Sequence, residues 1–412
     1  MSTQSKPPVA SNAPNYLVPF IIVTALFGIF GFLTNLNSNL APKLEDIFNL
    51  NHMWSNFVTT SWFLAYLVFS VPSGKLIEKI GYKSTMVTSL FIMVVGALLF
   101  IPAALMVSFP VFLTASFVLA TGVCVLQTSA NPYVSILGPE SSAPARLTLA
   151  QAFNSLGSAL APLVVGYFIL TDNTVVTDKA AIAHTVLGPY AAIAVALFVL
   201  GFAVMFMHLP AITSSRTAVA GAPKSGRSIW SYKHTVLSMI GIFFYVGVEI
   251  ALAANAIKFF KEQGIYSKDT AALLASFYMF AIMLGRFAGT VAMKAIKAEK
   301  LLAGLGFFGV ALMVLAMNTS GMVAVWSLVL CGLANSIMYP TIFALGIAEL
   351  GPMTSEGSGV ITIGNVGGAV IPPLFGGLAV AIGYQHAFIL PIICYIYVAY
   401  YGLSGYKPSR AA

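Results

Sequence analysis

The chain has 412 residues, of which 59% are hydrophobic and 8% charged, with a net charge of +8. That composition, with its many apolar runs of about 20 residues, excludes an ordinary soluble domain and defines a polytopic membrane protein. A basic soluble chain would suggest nucleic acid, but here loop placement explains the charge and no nucleic-acid partner is expected. Lipid offers no partner for backbone groups, so the spans must be helices and the fold class is all-α.

In chain order, residues 1–16 form a polar tail without the apolar core of a cleavable signal peptide, so the first span directs insertion. Twelve spans follow, at about 17–40, 54–76, 84–105, 110–137, 146–170, 188–208, 235–260, 270–293, 301–318, 322–348, 356–381 and 385–406. The longest polar interval, 209–234, reads as a cytoplasmic linker between six-helix halves at 17–208 and 235–406, and 407–412 is a short second tail. With both termini cytoplasmic, fifteen of the 20 lysines and arginines fall on the inner side, Arg286 counted among them, which satisfies the positive-inside rule. Cys124, Cys331 and Cys394 sit inside apolar runs and read as small core residues, with no disulfide, metal or cofactor implied.

Span 1 carries Asn35, Asn37, Ser38 and Asn39, four polar side chains in five residues, with Asn35 and Asn39 on one helix face. After span 2 comes the loop Gly74 to Ser84, in which Gly74 permits close helix approach. Glu78, Lys79 and Lys83 there either form a latch that breaks as the halves rock or only carry positive-inside charge. Span 4 contains LQTSANPYVSILG and span 10 contains ANSIMYPTIFALG, each with a proline followed six residues on by a glycine: Pro132 with Gly138, and Pro340 with Gly346. On that register Gln127 aligns with Asn335 and Asn131 with Tyr339, giving two related halves with one kinkable polar helix apiece. Asn154, Gly157, Pro162 and Gly166 match Asn365, Gly368, Pro373 and Gly377 at a constant offset of 211, and Ser61, Gly74 and Lys79 match Ser276, Gly289 and Lys294 at 215. Parallel six-span repeats are the mark of a major facilitator fold, with the substrate between the halves near mid-membrane.

Glu249 is the acidic residue in the middle of a span; the other eleven of the 12 lie in loops or at span ends. Such a carboxyl is paired, protonated or facing a wet cavity. No Lys, Arg or His is expected at its depth, so it becomes the candidate coupling residue, binding a proton or helping to ligate sodium. The competing reading is a neutral structural carboxyl.

The stretches GFLTNLNSNLAPKL, LQTSANPYVSILGPESS, RLTLAQAFNSLG, FFYVGVE and YPTIFALGIAELG, spread over both halves, resemble the fucose/glucose/galactose branch of the major facilitator superfamily, bacterial hexose and 6-deoxyhexose symporters. The resemblance implies sugar uptake across a bacterial inner membrane, usually by a monomer. In the fucose branch a span 1 Asp and a span 4 Glu are the proton and substrate carboxylates. Ser38 and Gln127 stand there, neither can carry a proton, and Gln127 favours the glucose/galactose or amino-sugar branches. The resemblance also places Asn35, Gln151 and Asn154 at sugar-contacting positions.

A hexose needs amides, which donate and accept, and an aromatic platform. Asn35, Gln127 and Asn154 either touch substrate or join helices. Asn131 either contacts substrate or satisfies the carbonyl that Pro132 leaves without a donor. Asn335 and Tyr339 are repeat-related cavity candidates, and Asn365 is read as a packing residue. Trp62, Tyr66, Tyr245, Phe277 and Tyr278 are the aromatic candidates. The expectation is a cation-coupled sugar transporter, with a uniporter or a non-transporting sugar sensor as alternatives. No nucleophile, base and orienting group cluster, so an enzyme is not expected.

Overall fold

The computed structural model describes the backbone of residues 16–47, 52–169, 179–207, 209–210 and 228–408, and the side chains of those ranges except 36–47, 52–59, 163–169 and 179–186. The Ser38 side chain, the N-terminal tail and most of the expected linker lie outside the described residues. Among those described there is no strand.

The first half comprises α1 (Leu17–Ile47), α2 (His52–Leu105), α3 (Phe109–Ile136), α4 (Ala143–Ile169) and α5 (Lys179–Phe206). The second comprises α6 (Lys233–Glu262), α7 (Lys268–Ala292), α8 (Ala298–Asn318), α9 (Met322–Asn335), α10 (Met338–Gly346), α11 (Thr354–Ile363), α12 (Gly367–Ile382), α13 (Tyr384–Ala387) and α14 (Ile389–Tyr400). Among the described residues, ten segments are long and apolar enough to cross a membrane. One of them, Thr60–Leu105, lies in α2 and takes in residues 60–76 of the second expected span and all of the third. At 1.5 Å per residue α2 would run about 80 Å, more than two hydrocarbon cores. Gly81, at φ 81° and ψ 165°, turns the chain between them, a conformation that a side chain would oppose.

The two punctuated helices differ. α3 runs unbroken through Pro132, whereas its counterpart stops at Asn335 and restarts at Met338 as α9 and α10. Each proline lacks the N–H that the carbonyl four residues earlier would accept. For Pro132 that carbonyl is Thr128 O; for Pro340 it is Ser336 O. An unpaired carbonyl is costly in a lipid core, and both have donors. Ser358 Oγ on α11 donates to Thr128 O at 2.6 Å, and Arg286 Nε on α7 donates to Ser336 O at 3.2 Å. Of the two readings of Asn131, the one in which it satisfies the carbonyl freed by its proline is therefore corrected: a hydroxyl from the other half does so.

The halves meet closely at the end of the bundle holding Gly74, where α2 crosses α11. A Cβ on Gly74 would lie 2.6 Å from Ser355 O, and one on Gly359 would lie 2.7 Å from Ser70 O. Ser70 with Gly74 and Ser355 with Gly359 are four residues apart on their helices, so two small-xxx-small faces interlock. Ser355 Oγ also donates to Tyr82 OH at 3.2 Å, and Glu140 Oε1 accepts from the Glu349 N–H at 2.9 Å. These contacts close one end of the bundle.

Ser358→Ala is expected to destabilise the detergent-solubilised protein by about 1–3 kcal/mol, because the Thr128 carbonyl loses its donor. In a Pro132→Ala background the restored N–H serves that carbonyl, and the same substitution should cost markedly less in thermal unfolding. Equal losses in the two backgrounds would contradict this account of the tie.

Candidate substrate cavity

A cavity of about 790 Å³ lies between the halves, lined by α1, α2, α3 and α4 on one side and α6, α7, α10 and the turn after α11 on the other. Asn35, Gln127, Gln151 and Asn154 bring four side-chain amides to the N-terminal wall. Tyr245, Glu249, Arg286 and Tyr339 line the C-terminal wall, with Asn365. Phe63, Phe277 and Phe280 supply the aromatic surface, of which only Phe277 was among the sequence candidates.

Several amides work as both wall and joint. Asn154 Nδ2 donates to Phe27 O on α1 at 3.1 Å, a helix-joining bond made by a residue that still borders the cavity. Gln127 Oε1 accepts from Tyr66 OH at 3.2 Å, so Tyr66 orients an amide. Asn131 is fully buried behind the wall, donating from Nδ2 to Tyr339 OH at 3.4 Å and accepting from Gln151 Nε2 at 3.4 Å. The pair matched by repeat register, Asn131 and Tyr339, thus meets directly across the halves. Asn365 lines the cavity while its Nδ2 caps Thr362 O at 2.8 Å.

Asn335, expected to face the cavity, does not. It is fully buried, donating to Tyr278 OH at 2.8 Å and accepting from Tyr395 OH at 2.9 Å, and Tyr278 OH donates on to the Glu249 backbone carbonyl at 3.3 Å. This network ties the α9 end to α6 and α14 where the chain breaks. Tyr278 therefore belongs to the scaffold, and Trp62 is not among the lining residues.

The principal correction concerns charge. Arg286, assigned above to the basic side, is 8% exposed, lines the cavity, and exerts its field on Glu249. It lies six residues before the end of α7, about 9 Å along the axis. Buried oxygens pair its guanidinium: Nη1 donates to Gln151 O at 3.1 Å and Ser155 Oγ at 2.5 Å on α4, in addition to the Ser336 contact. Sequence reasoning missed it because the positive-inside count sorts cations by nearest loop. The signal was its seven-residue inset from the expected end of its span.

Tyr245 lies one turn before Glu249 on α6, with its hydroxyl beside that carboxyl. Its hydroxyl is buried in the cavity wall and closes no hydrogen bond among the described residues, with the residue only 1% exposed. An orphaned hydroxyl beside a cavity is an acceptor and donor held ready for a polar ligand. Of the loop residues considered for gating, Gly74 is at the interlocked crossing, Glu78 and Lys79 are exposed, and Lys83 is half-buried.

The Major Facilitator Superfamily profile matches residues 21–364. The chain belongs to that superfamily, a class of membrane transporters rather than enzymes. Among its relatives, a glucose/galactose transporter of Brucella abortus biovar 1 (strain 9-941) is 41% identical over 399 residues, covering 96% of both chains. The L-fucose-proton symporter of Escherichia coli (strain K12) is 31% identical over 408 residues, covering 94% of this chain and 92% of that one. Of solved structures, FucP in the outward conformation superimposes with a TM-score of 0.86 at 29% identity, covering 96% of this chain and all of that one.

Tyr245→Phe is expected to leave thermal stability unchanged or slightly raised, since an unpaired buried hydroxyl is removed. If a ligand uses that hydroxyl, the KM of exchange should rise about tenfold, the worth of one hydrogen bond. An unchanged KM would remove Tyr245 from the ligand's contacts.

Proposed function

We propose that this protein is a secondary active transporter of a hexose, glucose or galactose in particular, working by alternating access and driven by a co-transported cation. The observation that carries the reading is the cavity between the halves. It presents four amides on its N-terminal wall and Asn365 opposite for sugar hydroxyls, three phenylalanines for the apolar ring face, and the Glu249 carboxyl. The glucose/galactose relative supports the hexose, as does Gln127 where the fucose branch has a carboxylate.

Asn35, Gln127, Gln151 and Asn154 hold the sugar from the N-terminal half, and Ser38 is assigned to the same task from its place in the sequence. Tyr245 and Tyr339 meet it from the other half, while Asn131 and Asn335 fix the walls rather than touch the ligand. Sugar and cation together must favour the states that reorient, because a ligand with equal affinity for both conformations shifts nothing. Glu249 is the coupling group, taking up a proton or, with neighbouring oxygens, a sodium ion. The closed end, rich in lysine and arginine, faces the cytoplasm with both termini, in a bacterial inner membrane, and the transporter works as a monomer. A uniporter is the second reading, favoured by the neutral Gln127.

Counterflow in proteoliposomes with D-glucose, D-galactose and L-fucose tests the substrate. Glucose or galactose should exchange, and Glu249→Gln should keep that exchange while losing uphill accumulation under an imposed proton or sodium gradient. Accumulation at the wild-type level in Glu249→Gln, with unchanged pH dependence, would contradict the coupling assignment.

A further inference from the structure

We infer that Arg286 is the positioning residue through which cavity occupancy acts on the contact between the halves, an inference that rests on the transport reading above. The Arg286 side chain joins three places that otherwise have no common member. Its Nε holds Ser336 O, the carbonyl freed by Pro340 at the break between α9 and α10. Its Nη1 holds Gln151 O and Ser155 Oγ on α4, a helix of the other half, and Gln151 also reaches Asn131 at the Tyr339 contact. Its two Nη2 protons have no acceptor among the described residues, although the residue lines the cavity that also holds Glu249.

A guanidinium offers five donors in one rigid plane, so its bonds cannot be adjusted independently. When a sugar hydroxyl or the Glu249 carboxylate engages Nη2, the plane must rotate or shift. The Nη1 bonds to α4 and the Nε bond to the freed carbonyl then change together. Losing the α4 acceptors loosens the α4 to α7 contact between the halves, and Ser336 sits where the chain is already broken and can follow. A lysine keeps the charge and one end of the reach but cannot hold α4, Ser336 and a cavity ligand at once. Ser155→Ala removes one α4 acceptor without moving any charge.

The test uses Ser355→Cys as a reporter, a residue 7% exposed in the α2 to α11 crossing, in full-length protein with Cys124, Cys331 and Cys394 replaced by alanine. Maleimide labelling is followed with and without D-glucose or D-galactose, and binding of the same sugar is measured by its thermal shift. In otherwise unaltered protein, sugar should change the labelling rate about fivefold or more. Arg286→Lys should still bind sugar yet lose that response, and Ser155→Ala should label faster without sugar and respond less. Sugar responses equal to the parent in both variants would overturn the role of Arg286 and leave the transport reading intact. A parent that neither exchanges nor responds to these sugars would overturn the transport reading and this inference with it.

Discussion

A carbonyl without a donor is the constraint on which this structure turns. Inside a bilayer no water can pair such a group, so each proline within a span obliges the protein to find a donor elsewhere. The two halves carry such a proline at corresponding places, Pro132 and Pro340, and their carbonyls are met in different ways. Thr128 O is met by the Ser358 hydroxyl from the opposite half, and Ser336 O by the Arg286 guanidinium, which itself reaches the opposite half through Gln151 and Ser155. The polar demand created by a kinked helix is thereby used to join the two halves.

These joins differ from hydrophobic packing in a way that suits a transporter. An apolar seam between helices would gain little over lipid contact, whereas a hydrogen bond has two definite states, made and broken. The interlocked faces of α2 and α11 add close backbone approach without bulky side chains, so the crossing can separate as a rigid surface. Beside it the cavity keeps its own polar groups partly committed: Asn154 to α1, Gln127 to Tyr66 and Gln151 to Asn131. Tyr245 is the exception, its buried hydroxyl closing no hydrogen bond among the described residues, and it is the group proposed above to meet the sugar.

Much of this was legible in the sequence. The spans, the duplicated halves and the amide-rich wall follow from apolar run lengths, constant-offset matches and residue chemistry. Which face of a span looks inward is harder to read, because every face of these helices is apolar enough to meet lipid. Asn335 and Tyr278 therefore looked like cavity residues but serve the break in span 10. Phe63 went unnoticed beside Trp62 and Tyr66, and Arg286 was taken for a loop charge since two of its three acceptors are backbone carbonyls, which no side-chain pattern announces. Arg286 also changes the setting of Glu249, which shares the cavity with a cation whose Nε and Nη1 donors are engaged while Nη2 is left over.

On the proposed function, sugar bound between the halves moves the equilibrium of their closed end. The most direct measurement places spin labels at Lys79 and Lys294, exposed and repeat-related positions on opposite halves, and records their distance distribution with and without D-glucose and D-galactose. A new, longer distance population appearing at saturating sugar is the result this account predicts. A distribution unchanged by a sugar that demonstrably binds would contradict it.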